Sequence, residues 1–217
     1  MHIAKATFLA IALVSPILAG ASPLSAQTRL ALHETPRERQ PFAVEAPDGV
    51  RDIAAPDGKL RLINLWATWC PPCREEMASL DRLQDVLGAD DFEVVAISVD
   101  DGDAPGKVSA FFARNDISHL TAYFADKSRL ARAYEVWGIP TTIVLDGTGR
   151  EIGRLVGPAQ WDSVDMVAFF LRLLERETRV DPDVADTGTV TPYPPDLRPG
   201  AHRPAAPDPI TGSTGLQ

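Results

Sequence analysis

Hydrophobic positions between residues 41 and 177 follow two alternating patterns. Short, continuous apolar runs such as 92–99 (FEVVAISV) predict buried strands, because a strand covered on both faces needs no polar alternation. Between these runs, apolar residues recur every three or four positions, which is typical of amphipathic helices. The predicted strands are 59–66, 92–99, 120–124, 141–145 and 151–156, and the predicted helices are 72–87, 104–115, 127–134 and 161–174.

The order of these elements predicts the fold class. Strands alternate with helices, and the last two strands are joined by 146–149 (DGTG), which suits a hairpin connection. This order indicates an α/β domain over 41–177, with a mixed central β-sheet flanked by helices. On the first predicted helix, the residues expected to face the core are Met77, Leu80, Leu83, Val86 and Leu87.

The first 26 residues have the three-part order of a secretory signal peptide. A weakly basic start (His2 and Lys5) precedes the uncharged apolar run 6–21, and small residues follow it. The run contains Pro16 and is shorter than the about 20 residues that a membrane-spanning helix needs. Residues 1–26 are therefore predicted to be a signal peptide, with an uncleaved anchor in the inner membrane as the alternative. Both predict a periplasmic or otherwise exported domain.

The last segment, 178–217, is rich in proline and poor in large apolar residues. Such a composition buries too little apolar surface to offset the entropy lost on ordering. We expect a disordered, solvated tail, with partner binding as the less favoured alternative.

Charge and cysteine content exclude two classes of protein. The 217 residues include 21 Lys and Arg against 30 Asp and Glu, a formal net charge of −9. This balance argues against nucleic-acid binding, which needs a basic face to replace the counterions of phosphates. Only two cysteines are present, which excludes a small domain held by several disulfides. No heptad pattern calls for assembly, so a monomer is expected.

Both cysteines lie in one motif, Trp69 to Cys73 (WCPPC), where a predicted strand passes into a predicted helix. The Cys-x-x-Cys spacing brings the two sulfurs within disulfide reach, with Cys70 at the exposed edge of the turn and Cys73 beneath it. The positive end of the helix dipole favours a thiolate at Cys70, and the thiolate is the nucleophilic form. The motif therefore predicts dithiol redox chemistry.

Three other interpretations of the motif are weaker. A purely structural disulfide across so short a loop adds little stability. A zinc site needs four ligands, and the remaining candidates, His33, His119 and His202, are not spaced as a second ligand pair. Two buried and inert thiols fit poorly with a position at a strand-to-helix junction.

Two segments together resemble a known family. Residues 62–77 (LINLWATWCPPCREEM) resemble the active-site segment of the thioredoxin superfamily, and within it the TlpA/ResA branch of exported thiol–disulfide oxidoreductases. Residues 138–142 (GIPTT) resemble the second signature of that family. The resemblance implies a thioredoxin-like fold over 41–177, with the extra helix and strand of that branch between Val99 and Asp126, and no dissociable cofactor.

The resemblance also implies the site residues. Cys70 would exchange with a client disulfide and Cys73 would resolve the mixed disulfide. Pro140 would be in the cis form beside the two cysteines. The backbone of Ile139 would pair with an incoming polypeptide, and Trp69 would shield the sulfurs and contact the partner.

Members of the superfamily differ in the position of a buried carboxylate near the cysteines. Thioredoxin has an aspartate at the position of Asn64, which cannot take a proton, whereas ResA-like members have a glutamate at the position of Glu76. We therefore expect Glu76 to tune or deprotonate Cys73. The alternative is a solvated carboxylate in the first helical turn, favoured there by the helix dipole.

By resemblance, the protein reduces disulfides of client proteins, such as apocytochrome c or copper-centre proteins, with electrons from a membrane thiol donor. A Cu(I) metallochaperone using the same two thiolates is the alternative, since soft sulfur suits that ion. Copper chaperones of this superfamily use a wider cysteine spacing and a late histidine, which this chain lacks between His119 and His202. A peroxidase is suggested only by a shared fold.

Overall fold

A single eight-stranded mixed sheet runs through residues 30–177, which are the residues that the computed structural model describes. The predicted signal peptide at 1–26 and the predicted tail at 178–217 lie outside the described residues. The strands are β1 (Ala31–Arg37), β2 (Ala43–Ala46), β3 (Gly49–Asp52), β4 (Leu60–Trp66), β5 (Phe92–Ser98), β6 (Thr121–Phe124), β7 (Thr141–Leu145) and β8 (Glu151–Val156). The helices are α1 (Pro71–Leu87), α2 (Ala104–Arg114), α3 (Lys127–Tyr134) and α4 (Val164–Glu177).

Strand β4 lies in the middle of the sheet, whose order is β1-β8-β7-β4-β5-β6-β2-β3. It pairs in parallel with β5 on one side and antiparallel with β7 on the other. All seven of its residues are buried, because it has a neighbouring strand on each edge and the sheet is flanked by helices. The mixed sheet and its helices confirm the predicted fold class.

The elements predicted from residue 59 onward are all present, with two corrections. Helix α4 begins at Val164 rather than at residue 161, because Trp161 lies in the preceding turn and packs its side chain into the core. On α1, Val86 is 63 % exposed and does not face the core. The buried apolar residues Met77, Leu80, Leu83 and Leu87 follow a three-to-four spacing, and Val86 lies beside that stripe.

Strands β1, β2 and β3 were not predicted from the sequence pattern. Strand β1 pairs antiparallel with β8, so the sheet begins before residue 41. Strands β2 and β3 form a hairpin, and β2 reaches β6 through the pair Glu45–Phe124. These outer strands are short or largely exposed and carry many polar residues, as expected of strands at the edge of a sheet.

The expected insertion is formed by α2 and β6, which lie between β5 and α3 in the chain. Strand β6 adds in parallel to β5, and α2 packs against it. The ring of Trp66, the last residue of β4, stacks on Phe112 with centroids 5.8 Å apart and lies 5.2 Å from Phe111. Aromatic contacts of this kind add to the stability gained by burial alone. The insertion therefore packs against the end of β4 that leads into the cysteine motif.

A buried charge cluster joins the first strand of the described domain to β8 and to α3. The Glu151 carboxylate is fully buried and accepts hydrogen bonds from Arg39 Nε at 2.8 Å and from Arg154 Nε at 2.7 Å. His33 Nε2 lies 2.7 Å from the same carboxylate. Arg154 also donates to the carbonyl of Tyr134 at 3.0 Å, so the cluster ties β1 and β8 to the end of α3.

Within residues 30–177, no helix combines the length and the hydrophobicity that crossing a bilayer requires.

The Glu151 cluster predicts a loss of stability in acid. Hydrogen bonds and the charges of Arg154 and Arg39 hold the pKa of the Glu151 carboxyl at about 2, despite the opposing effect of burial. Its stabilising contribution is complete above the usual pKa of about 4.3 and is lost as the pH falls through about 2. At about 1.4 kcal/mol per pKa unit, this contribution is about 3 kcal/mol.

The measurement is urea unfolding of the wild type and of Glu151→Gln between pH 2 and pH 7. We expect the free-energy difference between them to be largest at pH 7 and to shrink below pH 4. The control Glu34→Gln changes an exposed carboxylate on β1 and should show little difference at any pH. A difference that stays constant from pH 7 to pH 2 would contradict the prediction.

Candidate active site

The cysteine motif forms the start of helix α1, directly after the buried strand β4. Cys70 is the N-cap residue of α1, and its Sγ accepts a hydrogen bond from the N–H of Cys73 at 3.4 Å. Pro71 occupies the first helical position, where its missing N–H removes no intrahelical hydrogen bond. The N-terminus of α1 therefore lies at the Cys70 sulfur, as the motif predicts.

The two cysteines form a disulfide, with their Cα atoms 5.3 Å apart. Cys73 is completely buried, and Cys70 is 4 % exposed. Cys70 is thus the outer sulfur of the pair, although only a small part of its surface reaches solvent. An incoming sulfur can approach Cys70 and not Cys73.

The second motif lies directly against the first. The Ile139–Pro140 peptide bond is cis, and the carbonyl oxygen of Ile139 is 3.9 Å from the Sγ of Cys70. The carbonyl of Pro140 accepts a hydrogen bond from Gly157 at 2.9 Å, which joins this loop to the end of β8. The structure thus brings Ile139 and Pro140 to the outer cysteine.

Two exposed tryptophans flank these loops. Trp69 precedes Cys70 and is 56 % exposed, and the Nζ of Lys127 lies 5.5 Å from its ring centroid, within cation–π range. Trp137 lies two residues before Ile139 and is 97 % exposed. Large aromatic side chains that remain this exposed beside the Cys70–Cys73 disulfide offer contact area to a partner molecule.

Glu76 is buried inside the domain, one helical turn after Cys73. Its Oε1 accepts from Asn64 Nδ2 at 2.8 Å, and its Oε2 accepts from the Ala159 N–H at 3.0 Å and from Trp161 Nε1 at 2.9 Å. The side chain is 2 % exposed, so the alternative expectation of a solvated carboxylate is wrong. The reason is that this face of α1 packs into the core rather than against solvent.

Burial and hydrogen bonding act in opposite directions on Glu76. Burial raises the pKa of its carboxyl and outweighs the three donors from Trp161, Asn64 and Ala159, which lower it. The result is a pKa above the ordinary value, and therefore an internal acid that can hold a proton over a wider pH range. Residues three apart on a helix are neighbours on one face, which places Glu76 next to Cys73.

Asn64 connects Glu76 to the second motif. Its Nδ2 donates to Thr142 Oγ1 at 2.9 Å as well as to Glu76, while its Oδ1 is buried without a hydrogen-bond partner among the described residues. Ala159 and Trp161 also belong to this site and are not predicted from the sequence. The one available signal was Trp161, a large aromatic residue at the start of a predicted amphipathic helix.

No group of three or more His, Cys, Asp or Glu residues within 30–177 lies close enough together to hold a metal ion. His119 is paired instead with two carboxylates of α1, with Nδ1 at 3.1 Å from Asp81 and Nε2 at 3.2 Å from Asp85. The Cu(I) alternative stays a prediction that rests on the two thiolates alone.

Comparisons with known proteins find relatives that are named as thiol–disulfide exchange proteins. The profile of the AhpC/TSA family matches residues 45–150, which contain both motifs. The thiol:disulfide interchange protein HelX of Rhodobacter capsulatus is 35% identical over 144 residues, covering 65% of this chain and 77% of HelX. The thiol-disulfide oxidoreductase ResA of Bacillus cereus is 27% identical over 130 residues, covering 56% of this chain and 73% of ResA.

A solved structure shows the same fold. The crystal structure of a thiol:disulfide interchange protein of the thioredoxin family from Chlorobium tepidum has 29% sequence identity and a TM-score of 0.51. The match covers 65% of this chain and 96% of that one. The similarity thus extends over nearly the whole of the Chlorobium chain.

Proposed function

Because this chain belongs to the thioredoxin-like family of thiol–disulfide oxidoreductases, we propose that it reduces disulfides of client proteins in the cell envelope. The protein is an enzyme of this class. The proposed clients are of the kind needed for cytochrome c maturation or copper-centre assembly. The observation that carries the proposal is the Cys70–Cys73 pair at the N-terminus of α1, with Ile139 and Pro140 against the outer sulfur.

The proposed reaction is two successive thiol–disulfide exchanges. In the reduced protein, the Cys70 thiolate attacks one sulfur of the client disulfide, and the other client sulfur leaves as a thiolate and takes up a proton. Cys73 then loses its proton and attacks the Cys70 sulfur, which forms the intramolecular disulfide and releases the second client thiol. Two electrons pass from the protein to the client.

The order of attack follows from position. Cys70 is the outer sulfur and lies at the N-terminus of α1, where the helix dipole and the N–H of Cys73 stabilise a thiolate. Cys73 is completely buried and is suited to the intramolecular step.

Glu76 is proposed to accept the proton of Cys73 in the second exchange. Its carboxyl is buried next to Cys73 on α1 and has a raised pKa, and a base works best when its pKa is near the operating pH. No other titratable side chain lies among the hydrogen-bond partners of this carboxylate within the described residues.

Client binding is proposed to use Trp69, Ile139 and Pro140. The Ile139 backbone would pair with an extended client segment, and Trp69 would cover its side chains. This assignment is supported by the exposure of Trp69 and by the 3.9 Å distance from the Ile139 carbonyl to the Cys70 sulfur.

A protein that reduces its clients ends each cycle oxidised, so a second thiol protein has to reduce it again. We propose a membrane thiol-electron donor for this role and a monomeric enzyme that is exported through residues 1–26 or anchored by them. The support is the apolar run 6–21 ahead of a domain whose relatives are named thiol:disulfide interchange proteins.

Substitution of each cysteine separates the two exchanges. Cys70→Ser should abolish reduction of a disulfide-bonded test protein, because the outer nucleophile is lost. Cys73→Ser should still attack, and should accumulate a covalent adduct that intact-mass spectrometry detects. Full activity in Cys70→Ser, or an adduct that forms equally well in that variant, would contradict the proposed order.

Removal of the Glu76 carboxylate should slow the second exchange. We expect Glu76→Gln to resolve the mixed disulfide about 100-fold more slowly, the scale of general base catalysis, and to lose the rise in rate as Glu76 ionises with increasing pH. The side-chain oxygen of glutamine can still accept the hydrogen bonds from Trp161 and Ala159. Rotation of the Asn64 amide by 180° turns its unpartnered Oδ1 toward the new NH₂ group. The fold should therefore persist.

The measurement is rapid-quench mass spectrometry of the mixed disulfide between pH 5 and pH 9. Glu75→Gln is the matched control, because Glu75 is the exposed neighbour on α1 and its change should leave the rate intact. Equal rates for Glu76→Gln and wild type across the pH range would exclude the role of Glu76.

The direction of electron flow is tested by the reduction potential of the Cys70–Cys73 pair in defined thiol buffers. We expect a reduction potential more negative than about −220 mV. Such a value lies beyond most glutaredoxins and toward thioredoxin, whose potential is about −270 mV. A value near −120 mV, as in a strong disulfide donor, would reverse the proposed direction.

A further inference from the structure

A groove of about 640 Å³ lies between the active-site turn and helix α2. Thr68 and Arg74 line its active-site side, and Lys107, Phe111 and Arg114 of α2 line the other. Thr68 is two residues before Cys70, and Arg74 directly follows Cys73. A molecule in this groove therefore lies alongside the reactive turn.

The groove is positively charged on an acidic protein. Three cationic side chains line it, Arg74, Lys107 and Arg114, against one carboxylate, Asp103, while the whole chain has a formal net charge of −9. None of the three cations takes part in an ion pair within residues 30–177. The Asp103 carboxylate caps α2, where its Oδ1 accepts from the N–H of Gly106 at 3.0 Å.

Neutral contacts hold two of these cations in place. The guanidinium of Arg74 lies 5.9 Å from the ring centroid of Phe111, and the Nζ of Lys107 donates to the carbonyl of Asp101 at 2.6 Å. Neither contact neutralises the positive charge. The side chains are thus oriented while their charge remains available to a ligand.

The rim beside the dithiol is also fixed. Thr68 donates to the Asp100 carboxylate through its backbone N–H at 2.9 Å and through Oγ1 at 2.6 Å. The ring of Trp66 packs on Phe111 and Phe112 and holds α2 against the end of β4. Both walls of the groove are therefore connected by hydrogen bonds or ring packing to the elements that lead into the cysteines.

We propose that this groove binds acidic side chains of the client polypeptide, next to the cysteines that exchange with Cys70. The inference rests on the proposed function and names the client chemistry that the site favours. Lys107 and Arg114 are seven residues apart on α2, two helical turns or about 10.5 Å. A client segment in the polyproline II conformation turns once and rises about 9.3 Å every three residues, so carboxylates at positions i and i+3 lie on one face and match the two cations.

The test uses two sets of synthetic peptides and the full-length protein. One set contains a disulfide and, beside it, Glu-x-x-Glu, Gln-x-x-Gln or Lys-x-x-Lys; the other is identical but has serine in place of cysteine. Fluorescence anisotropy gives the Kd of the serine peptides with the oxidised protein, and stopped flow gives the rate at which the reduced protein reduces the disulfide peptides.

At low ionic strength we expect the Glu peptide to bind about tenfold more tightly than the Gln peptide and to react about tenfold faster. The difference between the Glu and Gln peptides should vanish at about 1 M salt, where the Debye screening length is only about 3 Å. Lys107→Gln with Arg114→Gln should remove the preference, and Lys107→Glu with Arg114→Glu should reverse it toward the Lys peptide. Arg74 is left unchanged because it adjoins Cys73.

The matched control is Arg37→Glu with Arg132→Glu, which changes the net charge by the same amount. Arg37 lies on the edge strand β1, and Arg132 lies on α3, whose end contacts β8 on that side of the sheet. Both side chains are exposed and form no ion pair within the described residues, so the preference for the Glu peptide should persist.

Two results would overturn the inference: equal binding of the Glu and Gln peptides by the wild type, or an equal loss of preference in the control. The anisotropy measurement needs no redox activity, so it decides the role of the groove even if no peptide is reduced. Failure to reduce any peptide would instead overturn the proposed reductase function.

Discussion

The position of the Cys70 sulfur depends on the way strand β4 passes into helix α1. Strand β4 is hydrogen-bonded to a strand on each side and buried at every residue, and Trp66 at its end is packed against α2. The turn that follows is held by the Asp100 carboxylate through Thr68. The helix then begins with Cys70 as its cap, so the sulfur that we propose as the nucleophile is also a structural hydrogen-bond acceptor. Its chemistry follows from this rigid junction.

Glu76 shows how distant parts of the domain meet at one buried group on the helix that carries the two cysteines. A buried carboxylate without donors would cost several kcal/mol, and hydrogen bonds to the charged form offset part of that cost. Here the donors come from β4 and from the turn before α4, while the acid itself lies on α1. Segments far apart in the chain therefore determine the proton affinity of one group next to Cys73.

The surface around the dithiol has two different sides. Trp69 and Trp137 present apolar area near the cis-Pro140 loop, whereas the groove along α2 presents positive charge. Apolar contact supplies affinity with little dependence on salt, and charge supplies partner discrimination and speed of encounter. An insertion that carries α2 to the end of β4 is thus a means of adding selectivity to a reaction that the helix N-terminus already provides.

The apolar pattern predicts the strands and helices from residue 59 onward, and the spacing of the two cysteines predicts the motif. Strand and helix periods are local patterns, because burial on one face repeats every two or about 3.6 residues, and the Cys-x-x-Cys spacing is likewise local. The resemblance of two short segments was enough to name the family. The outer strands β1 to β3 do not follow from the pattern, because short or exposed strands need no apolar pattern.

The partners of the buried charges could not be predicted from the sequence and follow from the folded structure. Glu76 meets Trp161 across 85 positions of the chain, and Glu151 meets His33 across 118. The groove likewise unites Arg74 with Lys107 and Arg114 from a different helix. Pairings of this kind leave no periodic trace in the sequence, because each depends on two distant segments being folded against the same sheet.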